Sequence, residues 1–375
     1  MKHPNNQQAF FTLLRAGLWE KKVRLAQIDD IDFNVVYRLS EEQSVVGLVA
    51  AGIEHVENVK IPQNIVLSFV GSALQLEQRN VAMNDYVAKL IDKLRNYDIY
   101  AILVKGQGIA QCYERPLWRA CGDIDLLLSK ENYQKAKSCL INYSSHREPE
   151  NLRALHYGMT INGWDVELHG TLRSCCLPKM DKVVDEVQDD VFFMGNVRSW
   201  NNRNIQVFLP SPNNNVFFVF THIIKHFFHG GVGLRQICDW CRLLWSNKSE
   251  INEPLLKKRL VAAGIMTEWK AFASLAVNYL GMPVEAMPFY CDDKKWKRKA
   301  VRVMEFVLET GNFGHNRDYS YRNKYPYIIY KAISFWKHLK DGAFFFSIFP
   351  LDSIKVTWRR MVVGVSVVLQ GKKHE

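Results

Sequence analysis

The chain has 375 residues, 48% of them apolar, and 49 Lys plus Arg against 38 Asp plus Glu give a formal charge of +11. That length and apolar content exclude a disordered tail and imply a sizeable core in two or three domains. The basic excess suits a polyanionic partner, whether nucleotide phosphates, nucleic acid or an anionic membrane surface, without choosing among them.

The N-terminal Met1-Lys2-His3-Pro4 stretch lacks the apolar core of a signal peptide. Residues 5–97 read as helical, with Phe10, Leu13, Leu14 and Leu18 at helical spacing and Pro62 opening a helix that runs to about Asn96. The pattern changes at Tyr97. Ile99–Val104 is an apolar strand, broken by Gly106 and Gly108, which open a short helix to Tyr113. A loop punctuated by Arg115-Pro116 carries Trp118 and Arg119, and Asp123–Leu128 is a second strand. Ser129 caps a helix over Lys130–Leu140. A polar loop over Asn142–Glu150 leads to His156–Ile161 and Trp164–His169, a hairpin across Asn162-Gly163. Val191–Met194 and Ile205–Leu209 are expected as further short strands. Pro210-Ser211-Pro212 marks a boundary, beyond which the chain is again helical, with helices over 254–281 and 294–310 and a stop at Gly311–Gly314. Residues 316–375 read as helical in pieces.

The organising feature is Gly122-Asp-Ile-Asp-Leu-Leu-Leu. Side chains alternate along a strand, so Asp123 and Asp125 share a face. Two carboxylates on one face of an apolar strand need a positive partner, and a divalent metal supplies it most economically. Asp165, Glu167 and His169 share one face of the hairpin strand. If that strand neighbours the first, Glu167 completes a converging triad, with Asp165 its competitor. Gly106 and Gly108 allow backbone N–H groups to approach phosphates at a helix start. Lys105 and Arg119 are placed to neutralise a triphosphate, and the Arg119 fork serves equally to hold carboxylates.

Val104-Lys105-Gly106, Tyr113, Arg119, Gly122–Leu128 and Val166-Glu167-Leu168-His169 together resemble the uncharacterised bacterial nucleotidyltransferase family of the polymerase-β-like superfamily. His222 and His226, Leu234–Asp239 and Gly311–Gly314 extend the resemblance over most of the chain. It implies an α+β fold: a small mixed β-sheet core, residues 98–212, between an N-terminal helical cap, 1–97, and a C-terminal helical domain, 213–375. It also implies a nucleoside triphosphate, ATP among the candidates, bound at Lys105, Gly106, Gln107, Gly108 and Arg119. Mg²⁺ or Mn²⁺ is expected on Asp123, Asp125 and Glu167, which would be the catalytic set. Gln107 departs from the superfamily pattern, which has a second small residue there.

The expected activity is transfer of a nucleotidyl group to an unknown acceptor, a small molecule, a protein or an RNA end. The alternatives are an inactive nucleotide- or nucleic-acid-binding module and a metal-dependent phosphohydrolase. His222, His226 and His229 share a helical face without an H-E-x-x-H pattern, which suits pocket or core histidines better than zinc. Lys294–Lys299 around Trp296 is a basic, aromatic run of the kind nucleic-acid binders use, although nucleic acid is not the favoured partner. The eight cysteines follow no disulfide framework, so a reducing cytoplasm is expected. Cys238 and Cys241 lie in an apolar helical pattern. The apolar runs Ala343–Phe349 and Met361–Leu369 fall short of the roughly 20 residues that span a bilayer. The second, flanked by Trp358, Arg359, Arg360, Lys372 and Lys373, suits contact with a membrane surface.

Overall fold

A seven-stranded mixed sheet carries the acidic residues, and helices cover both of its faces. The computed structural model describes residues 4–26 and 30–369. The chain begins with helices α1 (Pro4–Trp19), α2 (Phe33–Glu42), α3 (Val46–Glu54) and the long α4 (Gln63–Arg95). Helices α1 and α3 cross almost backbone to backbone, since a Cβ at Gly17 would lie 1.8 Å from the Leu48 carbonyl oxygen.

The sheet region follows: β1 (Ala101–Val104), α5 (Gly106–Ala110), β2 (Asp123–Leu128), α6 (Lys130–Leu140), β3 (Ser144–Arg147), β4 (His156–Ile161), β5 (Trp164–His169), α7 (Pro178–Phe193), β6 (Val197–Asn202) and β7 (Ile205–Pro210). Strand order is β3-β4-β5-β2-β1-β7-β6. Strands β1 and β2 are antiparallel, whereas β2 runs parallel to β5 and β1 parallel to β7. The α+β fold with a mixed sheet and flanking helices is therefore as expected. Asn162 and Gly163, at φ 53° and 80°, make the expected tight turn between β4 and β5.

Three local expectations change. Val191–Met194 is the end of helix α7 rather than a strand. Its β-prone residues continue a stripe in which Val183, Val187 and Val191 are buried at four-residue spacing. Strand β3 lies within the expected polar loop, and β6 (Val-Arg-Ser-Trp-Asn-Asn) has no apolar run. Both are edge strands, so they need little apolar content. Arg203 and Asn204, both at positive φ, turn β6 back into β7.

The remaining helices are α8 (Pro212–His229), α9 (Leu234–Ser246), α10 (Glu253–Ala263), α11 (Met266–Leu280), α12 (Lys294–Thr310), α13 (Tyr321–Lys324), α14 (Tyr327–Ile348) and α15 (Pro350–Leu369). Alternation along the strands divides the core in two. Ile124, Leu126, Val166 and Leu168 pack with α4 and α6 on one face. Ile102, Val104 and Leu127 face the larger cluster built with α8, α9 and α11. Asp123, Asp125, Glu167 and His169 belong to this second face, so the acids look toward the C-terminal helices.

All eight cysteines are free, and burial pushes the Cys238 and Cys241 thiols up. Among the described residues no helix is long and apolar enough to cross a membrane. Helix α15 exposes Leu351, Ile354, Trp358 and Val362, while Lys372 and Lys373 lie outside the described residues.

Candidate active site

Register brings the acids together. Parallel pairing of β2 with β5 sets Asp125 opposite Glu167 and Asp123 opposite Asp165. One ligand oxygen each from Asp123, Asp125 and Glu167 lies within 4.8 Å of the others. Asp165 is exposed and accepts a 2.9 Å hydrogen bond from the Thr160 hydroxyl, outside that group. The triad lines a cavity of about 440 Å³ between the sheet and helices α8 and α9.

Like charges and burial act strongly here. Asp123 is pushed above its ordinary pKa by the charge of Asp125, then by burial, against a smaller opposing effect of Lys105. For Asp125, only 2% exposed, burial favours the neutral acid, but Lys105 and His169 outweigh it and hold it below its usual range. Burial likewise opposes ionisation of Glu167, and His156 and His169 overcome it, so Glu167 lies well below the usual carboxylate range.

Lys105 closes this network. Its Nζ donates to Asp125 Oδ1 at 2.6 Å. Burial opposes its charge, yet the neighbouring carboxylates raise its pKa. It adopts φ 57°, ψ −144°, a backbone region that disfavours a side chain by about 1–3 kcal/mol. That conformation turns the chain from β1 into α5 and leaves the ammonium among the acids. The two hairpin histidines complete the wall. His169 Nε2 is 2.7 Å from Asp125 Oδ1 and 3.3 Å from Glu167 Oε2, and His156 Nε2 is 3.1 Å from the same Glu167 oxygen.

The other nucleotide-contact candidates divide. Gly106 lines the cavity, and a Cβ there would sit 3.2 Å from Cys121 Sγ at a φ of +39°. Gln107 turns away, its amide donating to Asn80 Oδ1 of α4 at 2.8 Å. A Cβ on Gly108 would meet Leu209 at 2.8 Å, so this glycine permits close packing of α5 on β7. Arg119 reaches the cavity wall, but its guanidinium is taken up by Asp239, with Nε–Oδ1 at 3.0 Å and Nη2–Oδ2 at 2.5 Å. Tyr113 donates its hydroxyl to Asp239 Oδ1 at 2.8 Å.

Two cavity cations emerge only from the fold. Lys225 on α8 and Arg235 on α9 both line the cavity, and among the described residues neither forms an ion pair. Burial lowers the pKa of each, aided by Lys105 for Lys225 and by Arg119 for Arg235. Arg235 Nη1 donates to the Ala120 carbonyl at 3.1 Å, while its buried Nε has no partner. Unpaired, partly desolvated cations facing a polar cavity are the arrangement that binds an anion. A sequence signal existed only for α9, within the Leu234–Asp239 stretch, and none marked Lys225.

His222 and His226 line the cavity with rings 4.3 Å apart, while exposed His229 bonds the Lys225 carbonyl. Burial and then nearby lysines depress the first two, His226 to about 3, so both are neutral. Among the described residues the three helical histidines do not form a metal-holding group. Lys294, Lys295, Lys297 and Arg298 of the α12 basic run are solvated, and Lys297 pairs with Asp292, while Lys299 donates to the Ile348 carbonyl.

A family model described as uncharacterised nucleotidyltransferase matches residues 29–281, more than half of the chain and the whole of the acidic site. No curated protein and no solved structure matches the chain.

Proposed function

The chain belongs to this uncharacterised nucleotidyltransferase family, and on that premise we propose that it moves a nucleoside monophosphate from a nucleoside triphosphate onto an acceptor, using Mg²⁺ or Mn²⁺. The observation that carries the reading is three carboxylates from two adjacent strands, converging at a cavity whose other wall holds unpaired cations. The acceptor is a small metabolite, a protein side chain or an RNA end. Free cysteines fit a cytoplasmic setting.

The donor set suits a hard dication. Asp123, Asp125 and Glu167 offer carboxylate oxygens only, and the raised pKa of Asp123 registers negative charge that its surroundings leave uncompensated. Bound there, the ion would supply charge neutralisation at the phosphoryl group and activation of the acceptor hydroxyl.

The chain's own residues do the rest. Lys225 and Arg235 draw the triphosphate into the cavity and hold its non-bridging oxygens. Arg235 is the better fork, and its hydrogen bond to Ala120 ties it to the loop leading into β2. Gly106 keeps the start of α5 low enough for a phosphate to approach. Lys105 shields Asp125 from its acidic neighbours and can shift its ammonium toward the phosphates. Arg119 acts as a positioning residue through Asp239, fixing the 116–119 loop against α9. Glu167, kept ionised by its histidines, is a stronger cation ligand than proton acceptor. Gln107 faces α4, so its size places no obstacle before a bound phosphate.

One observation favours a second reading, a catalytically silent nucleotide binder. Asp125 Oδ1 already receives Lys105 and His169, which compensate its charge without an ion. The test is incubation with Mg²⁺, a cell extract, and nucleoside triphosphates labelled at either the α- or the γ-phosphate. Nucleotidyl transfer puts α-label, and no γ-label, into an acceptor. Binding without product supports the silent reading, and release of γ-label as orthophosphate indicates hydrolysis.

A further inference from the structure

The carboxylate triad leaves one part of the cavity unexplained, the pair of histidines on the hairpin. His156 opens β4 and His169 closes β5, and antiparallel pairing sets them directly opposite each other. Their rings lie 4.9 Å apart. Both direct Nε2 at one oxygen, Glu167 Oε2, at 3.1 and 3.3 Å. One donor atom from each of the three residues lies within 4.8 Å of the others. Donors on a single first-row ion, with bonds of about 2.0–2.2 Å, are separated by no more than about 4.4 Å, so small adjustments suffice.

Hydrogen bonding alone explains this convergence poorly. Two imidazole nitrogens converge on one carboxylate oxygen, and His169 Nε2 is also 2.7 Å from Asp125 Oδ1. His169 Nε2 carries at most one proton, yet it faces two carboxylate oxygens, so one hydrogen cannot serve both contacts fully. If either nitrogen is bare, its lone pair faces a carboxylate. A cation among these atoms satisfies every lone pair at once. The position is also reachable from solvent: the His156 and Glu167 side chains are 27% and 30% exposed, and both line the cavity.

We infer that His156, His169 and Glu167 form a second dication site, selective for a first-row transition metal such as Co²⁺, and more weakly Mn²⁺, over Mg²⁺. It is distinct in chemistry from the all-oxygen triad with which it shares Glu167. Imidazole nitrogen binds Co²⁺ well and Mn²⁺ less strongly, and is a poor ligand for Mg²⁺, which prefers oxygen. The inference deepens the nucleotidyltransferase reading of the same cavity. Its consequence is a protein that takes Mg²⁺ on one side of Glu167 and a transition-metal ion on the other.

The test uses the full chain loaded with Mn²⁺ alone, without nucleotide. Pulsed electron paramagnetic resonance detects directly bound imidazole as nitrogen modulation of the Mn²⁺ signal, and calorimetry gives the affinity. The wild type is expected to show the modulation. Asp123→Ala, outside the donor set, should keep it, and His156→Gln/His169→Gln should lose it with at least tenfold weaker Mn²⁺ binding. Circular dichroism checks the fold. Should the double variant not fold, His156→Gln alone, at a part-exposed position, is expected to reduce the modulation. Bound Mn²⁺ without nitrogen modulation in the wild type, or modulation unchanged by the histidine substitutions, overturns the site. Nitrogen modulation in a protein that transfers no nucleotide leaves this site standing and removes the enzymatic reading. Transfer activity without the modulation does the reverse.

Discussion

Arg119 offers a sharp physical test, because its surroundings assign it a different task from a free phosphate fork. Arg119 and Asp239 are 5% and 3% exposed and joined by two hydrogen bonds. Burial opposes the arginine's charge, and Asp239 more than restores it. Arg119→Met leaves Asp239 buried with the Tyr113 hydroxyl as its principal remaining donor. Removing one member of a buried ion pair costs about 3–5 kcal/mol, much of it the stranded charge. Replacing both members by apolar groups of similar volume is instead neutral or stabilising by roughly 1–4 kcal/mol. The expected result is therefore strongly non-additive: Arg119→Met and Asp239→Leu each lose several kcal/mol, while the pair together recovers most of the loss. Urea unfolding of all four proteins, followed by tryptophan fluorescence and circular dichroism with coincident transitions, measures this. An Arg119→Met loss below about 1 kcal/mol, or additivity in the double variant, would refute the reasoning, since exposed side chains usually change stability by only about 0.5 kcal/mol.

Other consequences follow from the same geometry. Arg235→Ala and Lys225→Ala should each raise KM for the nucleoside triphosphate by about 10- to 100-fold, the worth of a charge-assisted hydrogen bond of roughly 1.5–3 kcal/mol; steady-state kinetics with unchanged KM would remove these residues from the phosphate site. Asp123→Asn should abolish transfer yet stabilise the metal-free protein near neutral pH. Asp125, burial and Glu167 raise the Asp123 pKa against Lys105 and Arg235, so the folded state binds that proton more tightly and loses stability as pH rises through the folded pKa. The advantage of the variant should accordingly shrink below the ordinary carboxylate range, as thermal melts across pH can measure. Mg²⁺ at about 100 times its dissociation constant should stabilise the wild type by roughly 2.7 kcal/mol and leave Asp123→Asn unmoved, an outcome a melt with and without the ion decides. Gly17→Ala drives a methyl into the Leu48 carbonyl oxygen and should cost at least about 1–3 kcal/mol, whereas unchanged stability would mean that α1 and α3 separate freely.

Legibility of the fold followed how local each signal was. The aspartate pair, the Asn162-Gly163 turn and the Ser129 cap on α6 depend on neighbours in sequence, and the structure contains all three features as read. Strand β6 depends on β7 for its existence, having no apolar alternation of its own. Val191–Met194 looked extended because four β-prone residues stand together, while the four-residue spacing back to Val183 carried the decisive information. The site divides in the same way. The carboxylates stand 44 positions apart at most, Asp123 to Glu167 across one helix and a hairpin, within reach of pattern reasoning only because β2 and β5 are neighbours.

 Lys225 and Arg235 come from helices beyond the sheet; no local motif marks Lys225, and only the Leu234–Asp239 stretch pointed toward Arg235. Arg119 illustrates the converse: the residue was visible, but its partner Asp239 lies 120 positions away, and only packing decides which carboxylate it meets.

The central claim, metal-dependent nucleotidyl transfer at Asp123, Asp125 and Glu167, is tested most directly by pyrophosphate release coupled to α-label incorporation. The comparison is between wild type and Asp123→Ala/Asp125→Ala, each with Mg²⁺, an α-labelled nucleoside triphosphate and a cell extract supplying the acceptor. The expected result is one labelled product and one equivalent of pyrophosphate from the wild type, both abolished by chelation of the metal and both absent from the variant. Equal label incorporation by the two proteins would contradict the account.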